Sequence, residues 1–328
     1  MGIKCLLKLN EELGLIKKIK LENYKYKKIA IDISILIYRI VISVRNSGAD
    51  FTNNKGEITS HILGLFNKTM DMLKNGILPI YVFDGKPPSI KNKTIEERKN
   101  IRKKALEKFE NAENEEDKIK YFKRSACITK IQFEQCMDLL TLMGIPYIIA
   151  PEEADSQCAY LSKMGLVDAV MTEDMDILTF GSPKIVRNLT SHKIEATEIC
   201  LNEVLEKLEI NQEQFIEFCI LLGSDYCNGI TEVKPQIILE YFKKNKNIKD
   251  TLIIMKEDGL KVPSKIFYEE TKEYFLNPII EKEVDLKFKK PQYSKLLKKL
   301  VNDYGLIKYL IKNKLDKLNK IYEEIMNL

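Results

Sequence analysis

Acidic residues stand at the ends of successive apolar runs in this sequence. Asp32 closes KKIAID, Asp84 closes PIYVFD, Glu153 and Asp155 follow PYIIAPE, Asp174 and Asp176 follow DAVMTE, and Asp225 lies within LLGSDYC. Residues i and i+2 of an extended chain point the same way, so Glu153 with Asp155, and Asp174 with Asp176, can each act as paired ligands. Carboxylates crowded into one place raise one another's pKa values and cannot all stay ionised without cations. Hard divalent ions with oxygen ligands meet that need, and Mg²⁺ is the usual choice. Two such ions about 4 Å apart clamp a phosphodiester, one generating hydroxide from water and the other stabilising the leaving oxygen. Each acid also has a plainer reading, because an Asp after a strand often caps the next helix. Five chain segments delivering acids together are harder to read as caps alone.

The acids meet only if the apolar runs are strands of one sheet. Strands are expected at Lys28–Asp32, Leu78–Phe83, Pro146–Ala150, Asp168–Thr172 and Lys184–Leu189, with amphipathic helices such as Thr59–Asn75 and Gln132–Met143 between them. That alternation predicts an α/β fold, a mostly parallel sheet with helices on both faces. Ligand sites in such sheets lie at the carboxyl ends of the strands. Gly144, Ile145 and Pro146 carry the Gly and Pro signals that stop a helix.

Two stretches break the pattern. Lys86–Lys130 opens with Pro87 and Pro88, continues through a basic half from Lys91 to Lys104, and reaches the acidic cluster Asn111–Asp117. So polar a segment does not belong in a core and is expected to project into solvent. Leu286–Lys320 holds eleven Lys against two acids, Asp303 and Asp316. Apolar residues at helical spacing run through Leu296–Leu328, so this part reads as basic helices packed on the body. There is no Gly/Ser-rich or Pro-rich linker and no convincing internal repeat.

Length and composition narrow the chemistry further. At roughly 150 residues per domain, 328 residues allow one large or two ordinary domains. With 45% hydrophobic and 31% charged residues the chain is globular and able to bury a sizeable core. A net charge of +5 is too modest to argue by itself for a nucleic-acid partner. No apolar run approaches the ~18 residues of a membrane span. The N-terminus lacks an apolar stretch with a cleavage site after it, so secretion is not expected. Seven Cys, an odd number without metal-type spacing, suggest reduced thiols in a cytosolic or nuclear setting. The two His, His61 and His192, and the lack of Trp argue against His-ligated zinc and against a Ser-His-Asp triad. The chemistry must run on carboxylates, Lys, Arg, Tyr or backbone. Lysines number 47 and arginines six, and the excess of Lys, Ile and Asn is what an AT-rich genome gives, which fits a parasite or a large DNA virus.

Longer segments carry a resemblance. MGIKCLLKL at the N-terminus, IAIDISILIYRIVISVRN (29–46), ITSHILGLFNKTMDMLKNGILPIYVFDGKPP (58–88), LLTLMGIPYIIAPEEADSQCAYL (139–161), TEDMDILTFGSP (172–183) and NQEQFIEFCILLGSDYC (211–227) occur in that order. In these the chain resembles the XPG/Rad2 family of 5′ nucleases, in particular its flap structure-specific endonucleases. The likeness covers roughly residues 1–245; the last ~80 residues match only faintly. It implies a PIN-like 5′-nuclease core over 1–245, an inserted helical arch at about 86–130 and a helix–two-turn–helix at about 217–245, with a basic helical region over 246–328. It also implies an activity: two-Mg²⁺ hydrolysis of DNA at the base of a 5′ single-stranded flap, with 5′→3′ exonuclease action, serving Okazaki-fragment maturation and base-excision repair. Relatives acting on bubbles, Holliday junctions or nicks are one alternative, and a non-cutting DNA-binding accessory protein is another. The arch length argues for flaps, because bubble-cutting relatives carry a very long insertion there.

Carried over by position, the implied metal ligands are Asp32, Asp84, Glu153, Asp155, Asp174, Asp176 and Asp225, the same acids that stand at the strand ends. Asp155 is Glu in the typical motif and reaches one methylene less far. Lys91 and Arg98 match the basic pair that reaches the scissile phosphate from the arch, with Asp176 the third catalytic position and Arg102 a further contact. Tyr38 is similar to a tyrosine that stacks on a nucleobase, and stacking suits an enzyme that reads structure rather than sequence. Arg45 and Lys68 match DNA-contacting positions, Lys68 offering a point charge where relatives have a bidentate Arg. Glu153, Gly223 and Asp225 complete the implied DNA contacts, and Gly2 begins an N-terminus that lies near the site in the family.

The chain also departs from the family. Cys127 stands where relatives carry a basic arch residue. In CNGITEVKPQIILEYF (227–242), Glu232 and Lys234 replace two glycines whose backbone holds a monovalent cation against the downstream duplex. That grip, and the potassium site with it, is therefore in doubt. The closing DKLNKIYEEIMNL has no clamp-binding box, so sliding-clamp binding through that motif is not expected. The expected partner is branched DNA with a 5′ flap, and the expected state is a monomer. The expected location is intracellular, nuclear in a cellular eukaryote and at a replication site or in the cytoplasm for a virus.

Overall fold

Residues 2–189, 195–263 and 268–326 are described by a computed structural model, and His192 lies outside them. Seven strands form one sheet: β1 (Lys17–Lys18), β2 (Lys28–Asp32), β3 (Leu78–Phe83), β4 (Tyr147–Ile149), β5 (Ala169–Met171), β6 (Lys184–Arg187) and β7 (Thr197–Cys200). Their order is β1-β7-β6-β5-β2-β3-β4. The five strands from β4 to β6 run parallel, and they are the five that the apolar runs predict. β7 pairs antiparallel with β6, and β1 with β7, adding an edge that no apolar run announces.

β3 is buried at every position because helices cover both faces of the sheet. Its alternate residues enter opposite cores, as the two-residue period of a strand dictates. Ile80 and Val82 join Ala30, Val170 and Ile185 on one side. Tyr81 and Phe83 join Ile29, Ile31 and Val186 on the other. The C-terminal third feeds both cores. Phe275, on the helix Tyr268–Leu276, enters the first, and Ile311, Leu315 and Leu318, on the helix Lys308–Ile325, enter the second.

Helix ends follow local chemistry. The helix Lys130–Met143 starts on a capping box of Thr129 and Gln132 and stops at Gly144, whose φ is 72°. Gly144 is also crowded: a Cβ there would lie 1.7 Å from the Lys289 carbonyl oxygen. The Lys289 N–H donates to the Gly144 carbonyl at 2.9 Å, so the C-terminal chain crosses the body at this stop signal.

The charged stretch is helical and almost wholly unburied. It folds as two helices, Asn92–Glu110 and Glu115–Arg124, joined through stacked Phe109 and Phe122 with ring centroids 5.1 Å apart. Ala105 is the one buried residue on the pair. The arch leans on the helix Ile33–Val44 and the turn after it. Arg102 donates to the Tyr38 hydroxyl at 3.0 Å, and Lys123 donates to Asn46 at 2.9 Å. None of the seven cysteines is in a disulfide. Among the described residues no helix is long and apolar enough to cross a membrane.

Candidate active site

Asp32 and Asp84 stand at the ends of β2 and β3. Glu153 and Asp155 follow β4, Asp174 and Asp176 follow β5, and Asp225 follows the helix Gln212–Leu222. Parallel strands put these ends on one edge, and hydrogen bonds tie the loops together there. Asp84 Oδ1 accepts the Ala154 N–H at 2.9 Å, and its Oδ2 accepts the Ser34 hydroxyl at 2.5 Å. Asp174 Oδ1 accepts the Asp176 N–H at 3.1 Å, while the Asp174 N–H donates to the Thr172 hydroxyl at 2.9 Å. Capping and site formation coexist at Asp32. Its Oδ1 accepts the N–H groups of Ser34 and Ile35 at 2.7 and 3.3 Å, a cap that stabilises the helix by about 1 kcal/mol.

The edge is short of positive charge at its centre. Burial, and then the neighbouring carboxylates, push Asp32, Asp155 and Asp176 well above the usual carboxylate range. Asp84 is the main charged neighbour of Asp32, and Asp174 that of both Asp155 and Asp176. Burial raises Asp174 as well. Asp155 Oδ1 and Asp176 Oδ1 are buried without a hydrogen-bond partner. Orphaned carboxylate oxygens amid like charge are what an oxygen-seeking divalent cation satisfies, so the residues present fit such an ion. As they stand, no three acids among the described residues close around a single point.

The arch brings cations to the outer acids. Lys91, Thr94, Arg98 and Arg102 recur at three- and four-residue spacing and share one helix face. Lys91 Nζ pairs with Glu153 Oε1 and lies 3.9 Å from Asp225 Oδ2. Burial pulls the Lys91 pKa down, but Glu153, Asp155 and Asp225 outweigh it and the net direction is up. Arg98 pairs with Asp225 Oδ2 at 2.6 Å, and the Thr94 hydroxyl donates to the Asp225 carbonyl at 2.6 Å.

The other predicted contacts lie further out. Tyr38 is half-buried, its ring against the second core and its hydroxyl toward Arg102. Arg45 is buried. It makes a bidentate pair with Asp50, donates to the Phe122 carbonyl at 2.8 Å and stacks on the Phe122 ring at 4.1 Å. In this arrangement it pins the second arch helix. Lys68 is half-buried on the helix Ser60–Lys74, where burial pulls its pKa down. Gly223 ends the helix Gln212–Leu222 at φ 91°, packed so closely on Gly229 that a Cβ would meet its nitrogen at 2.7 Å. Gly2 lies against the acids: a Cβ there would come within 1.8 Å of Asp174 Oδ1. Glu232 pairs with Lys261 at 2.9 Å on the exposed surface.

Two residues of the site have no counterpart among the expected ones. The hydroxyls of Tyr226 and Tyr274 both donate to Glu153 Oε2, at 2.5 and 3.1 Å. Burial and nearby carboxylates push both phenols up, so they remain donors. Tyr226 adjoins Asp225 in LLGSDYC, a signal that was available in the sequence.

The description of the XPG N-terminal domain matches residues 1–105, and that of the XPG I-region matches residues 144–225. Flap endonuclease 1 of Homo sapiens is 38% identical over 330 residues, covering 98% of this chain and 87% of that protein. The chain belongs to the flap endonuclease family. The solved flap endonuclease-1 from Methanococcus jannaschii superposes with a TM-score of 0.74 at 34% identity, covering 94% of this chain and 96% of that one. The catalytic core of Rad2 in complex with DNA substrate also reaches 0.74, at 26% identity over 97% of this chain and all of that one. Between the two matched regions lies the stretch 106–143, which in this member of the family holds the turn of the arch, its second helix and the helix Lys130–Met143.

Proposed function

We propose that this member of the flap endonuclease family hydrolyses DNA at the base of a 5′ single-stranded flap, with 5′→3′ exonuclease action, in replication and base-excision repair. One observation carries the reading: acids at the ends of four strands, joined by Asp225 from the end of a helix, lie beneath a helix face bearing Lys91, Arg98 and Arg102. Acids alone would repel a phosphodiester, and basic residues alone would bind it without cutting. Their apposition suits a reaction in which phosphate and divalent cation enter together.

Asp32, Asp84, Glu153, Asp155, Asp174, Asp176 and Asp225 are the residues that would hold divalent cations, and we assign two Mg²⁺ to them. When bound, the ions supply Lewis-acid activation of the phosphate and a water nucleophile of lowered pKa. Lys91 and Arg98 then exchange their carboxylate partners for oxygens of the scissile phosphate, where two positive charges stabilise the charge that develops. Tyr38 offers a ring for base stacking, with Arg102 holding its hydroxyl. Lys68 contributes phosphate attraction from the neighbouring helix. The cell interior is the place for such an enzyme, and branched DNA its partner.

The test is single-turnover cleavage of an end-labelled 5′-flap duplex in Mg²⁺ and in EDTA, beside bubble, nicked and Holliday-junction substrates. Magnesium-dependent cutting at the flap base, faster than on the other substrates, is expected. Cutting mainly at a bubble or junction would move the assignment to another branch of the family. Tight flap binding without cutting would make the protein an accessory factor.

A further inference from the structure

We propose that Tyr274 is a positioning residue that sets which oxygen of Glu153 faces the reacting groups, so that the C-terminal third completes the acid site. The inference rests on the reading that Glu153 helps hold a divalent cation. Glu153 Oε2 accepts two phenolic hydroxyls, Tyr226 from the neighbouring loop and Tyr274 from the helix Tyr268–Leu276. Both donors lie on the same oxygen, so Oε1 is left facing the site, where it meets Lys91. A glutamate has three side-chain torsions, and two hydrogen bonds to one oxygen restrict them to the rotamers that keep the other oxygen forward.

The Tyr274 ring is itself fixed. It packs against Tyr226 at 5.0 Å and edge-on against Phe180 at 5.7 Å, and Phe180 ends the short helix that begins with Asp176. A second tie joins the same two parts of the chain. The Gln157 amide, one turn after Glu153, donates to the Glu281 carbonyl at 2.8 Å and accepts the Glu281 N–H at 2.7 Å. Residues 274–281 thus bracket the start of the helix Ala154–Lys163 at two points.

Loss of a hydrogen bond behind a metal ligand typically weakens the metal about 10- to 100-fold. The experiment measures Mn²⁺ binding to the full chain by the EPR signal of free Mn²⁺, well below the melting temperature of every variant. Tyr274→Phe removes only the hydroxyl. Tyr293→Phe is the control, since it removes a phenol that donates to Asp316 at 2.8 Å and packs on the second core, whereas Tyr274 packs on the first. Expected is a roughly 10-fold loss of Mn²⁺ affinity in Y274F and none in Y293F. The Mg²⁺ concentration that half-saturates cleavage should rise in Y274F by the same factor. Wild-type Mn²⁺ affinity in Y274F would overturn the inference while leaving the site assignment intact. Failure of the wild-type chain to bind Mn²⁺ at all would overturn the site assignment and this inference with it.

Discussion

Arg98 and Asp225, 127 residues apart, form an ion pair of 2.6 Å that closes the arch onto the acid edge. The pair joins a cation expected to act on the scissile phosphate to an acid expected to act on the metal. On the proposed reading, each is the other's partner only until substrate and cation arrive.

Arg98→Ala should therefore slow the chemical step far more than it weakens binding. A roughly 10²- to 10³-fold fall in the single-turnover rate is expected, as for loss of one transition-state donor. Flap affinity by fluorescence anisotropy should change a few-fold at most. A loss confined to affinity would make Arg98 a residue that only positions the strand.

Asp176→Ala should abolish cleavage and leave flap binding largely intact. Asp176 is buried with Oδ1 unpartnered, so its removal also relieves charge crowding. In EDTA the variant should melt at or above the wild-type temperature. Retained cleavage would sink the two-ion assignment.

Stability should depend on pH in a direction set by the raised acids. Asp32, Asp155, Asp174 and Asp176 all titrate higher in the folded chain than in the unfolded one. Across the interval between those values the folded state binds more protons, so its stability is present at low pH and lost as pH rises. In EDTA the melting temperature should fall as pH rises from the ordinary carboxylate range through the raised values of this cluster. Mg²⁺ should restore it most at the upper end. A melting temperature indifferent to Mg²⁺ at pH 8 would count against the cation site.

Arg45→Ala should loosen the arch. It strips buried Asp50 of its partner and Phe122 of its stacked cation, and breaking a buried pair costs about 3–5 kcal/mol. Limited proteolysis should then cut first within Glu115–Arg124. Arg45→Lys should rescue little, because the ammonium cannot replace the bidentate and stacked contacts.

Much of this was legible in the chain itself, for identifiable reasons. Central parallel strands are apolar at nearly every position, so β2, β3 and β5 stand out, and the acids that close such runs are as visible as the runs. The antiparallel strands β1 and β7 are two and four residues long, the first exposed and the second half-buried at all but one position, so neither gives an apolar signal. The arch could be read as a charged insertion, but not its docking, because Arg102 with Tyr38 and Arg45 with Phe122 are pairings across 64 and 77 residues. Tyr274 was hidden most thoroughly. Its hydroxyl donates to Glu153 across 121 residues, and in sequence it is one aromatic among 15 tyrosines on an ordinary helix pattern.

The engagement of Lys91 and Arg98 by the protein's own carboxylates bears on how salt will act. A basic residue that meets DNA from open solvent displaces condensed counterions from the phosphates, and each such contact steepens the fall of affinity with ionic strength. If these two move onto phosphate as proposed, they trade one anion for another, and the acids they leave behind would take up cations from solution. Ion release at the phosphates would then be offset by ion uptake at the vacated carboxylates. Flap binding should be less sensitive to salt than the number of phosphate contacts beneath the arch would imply.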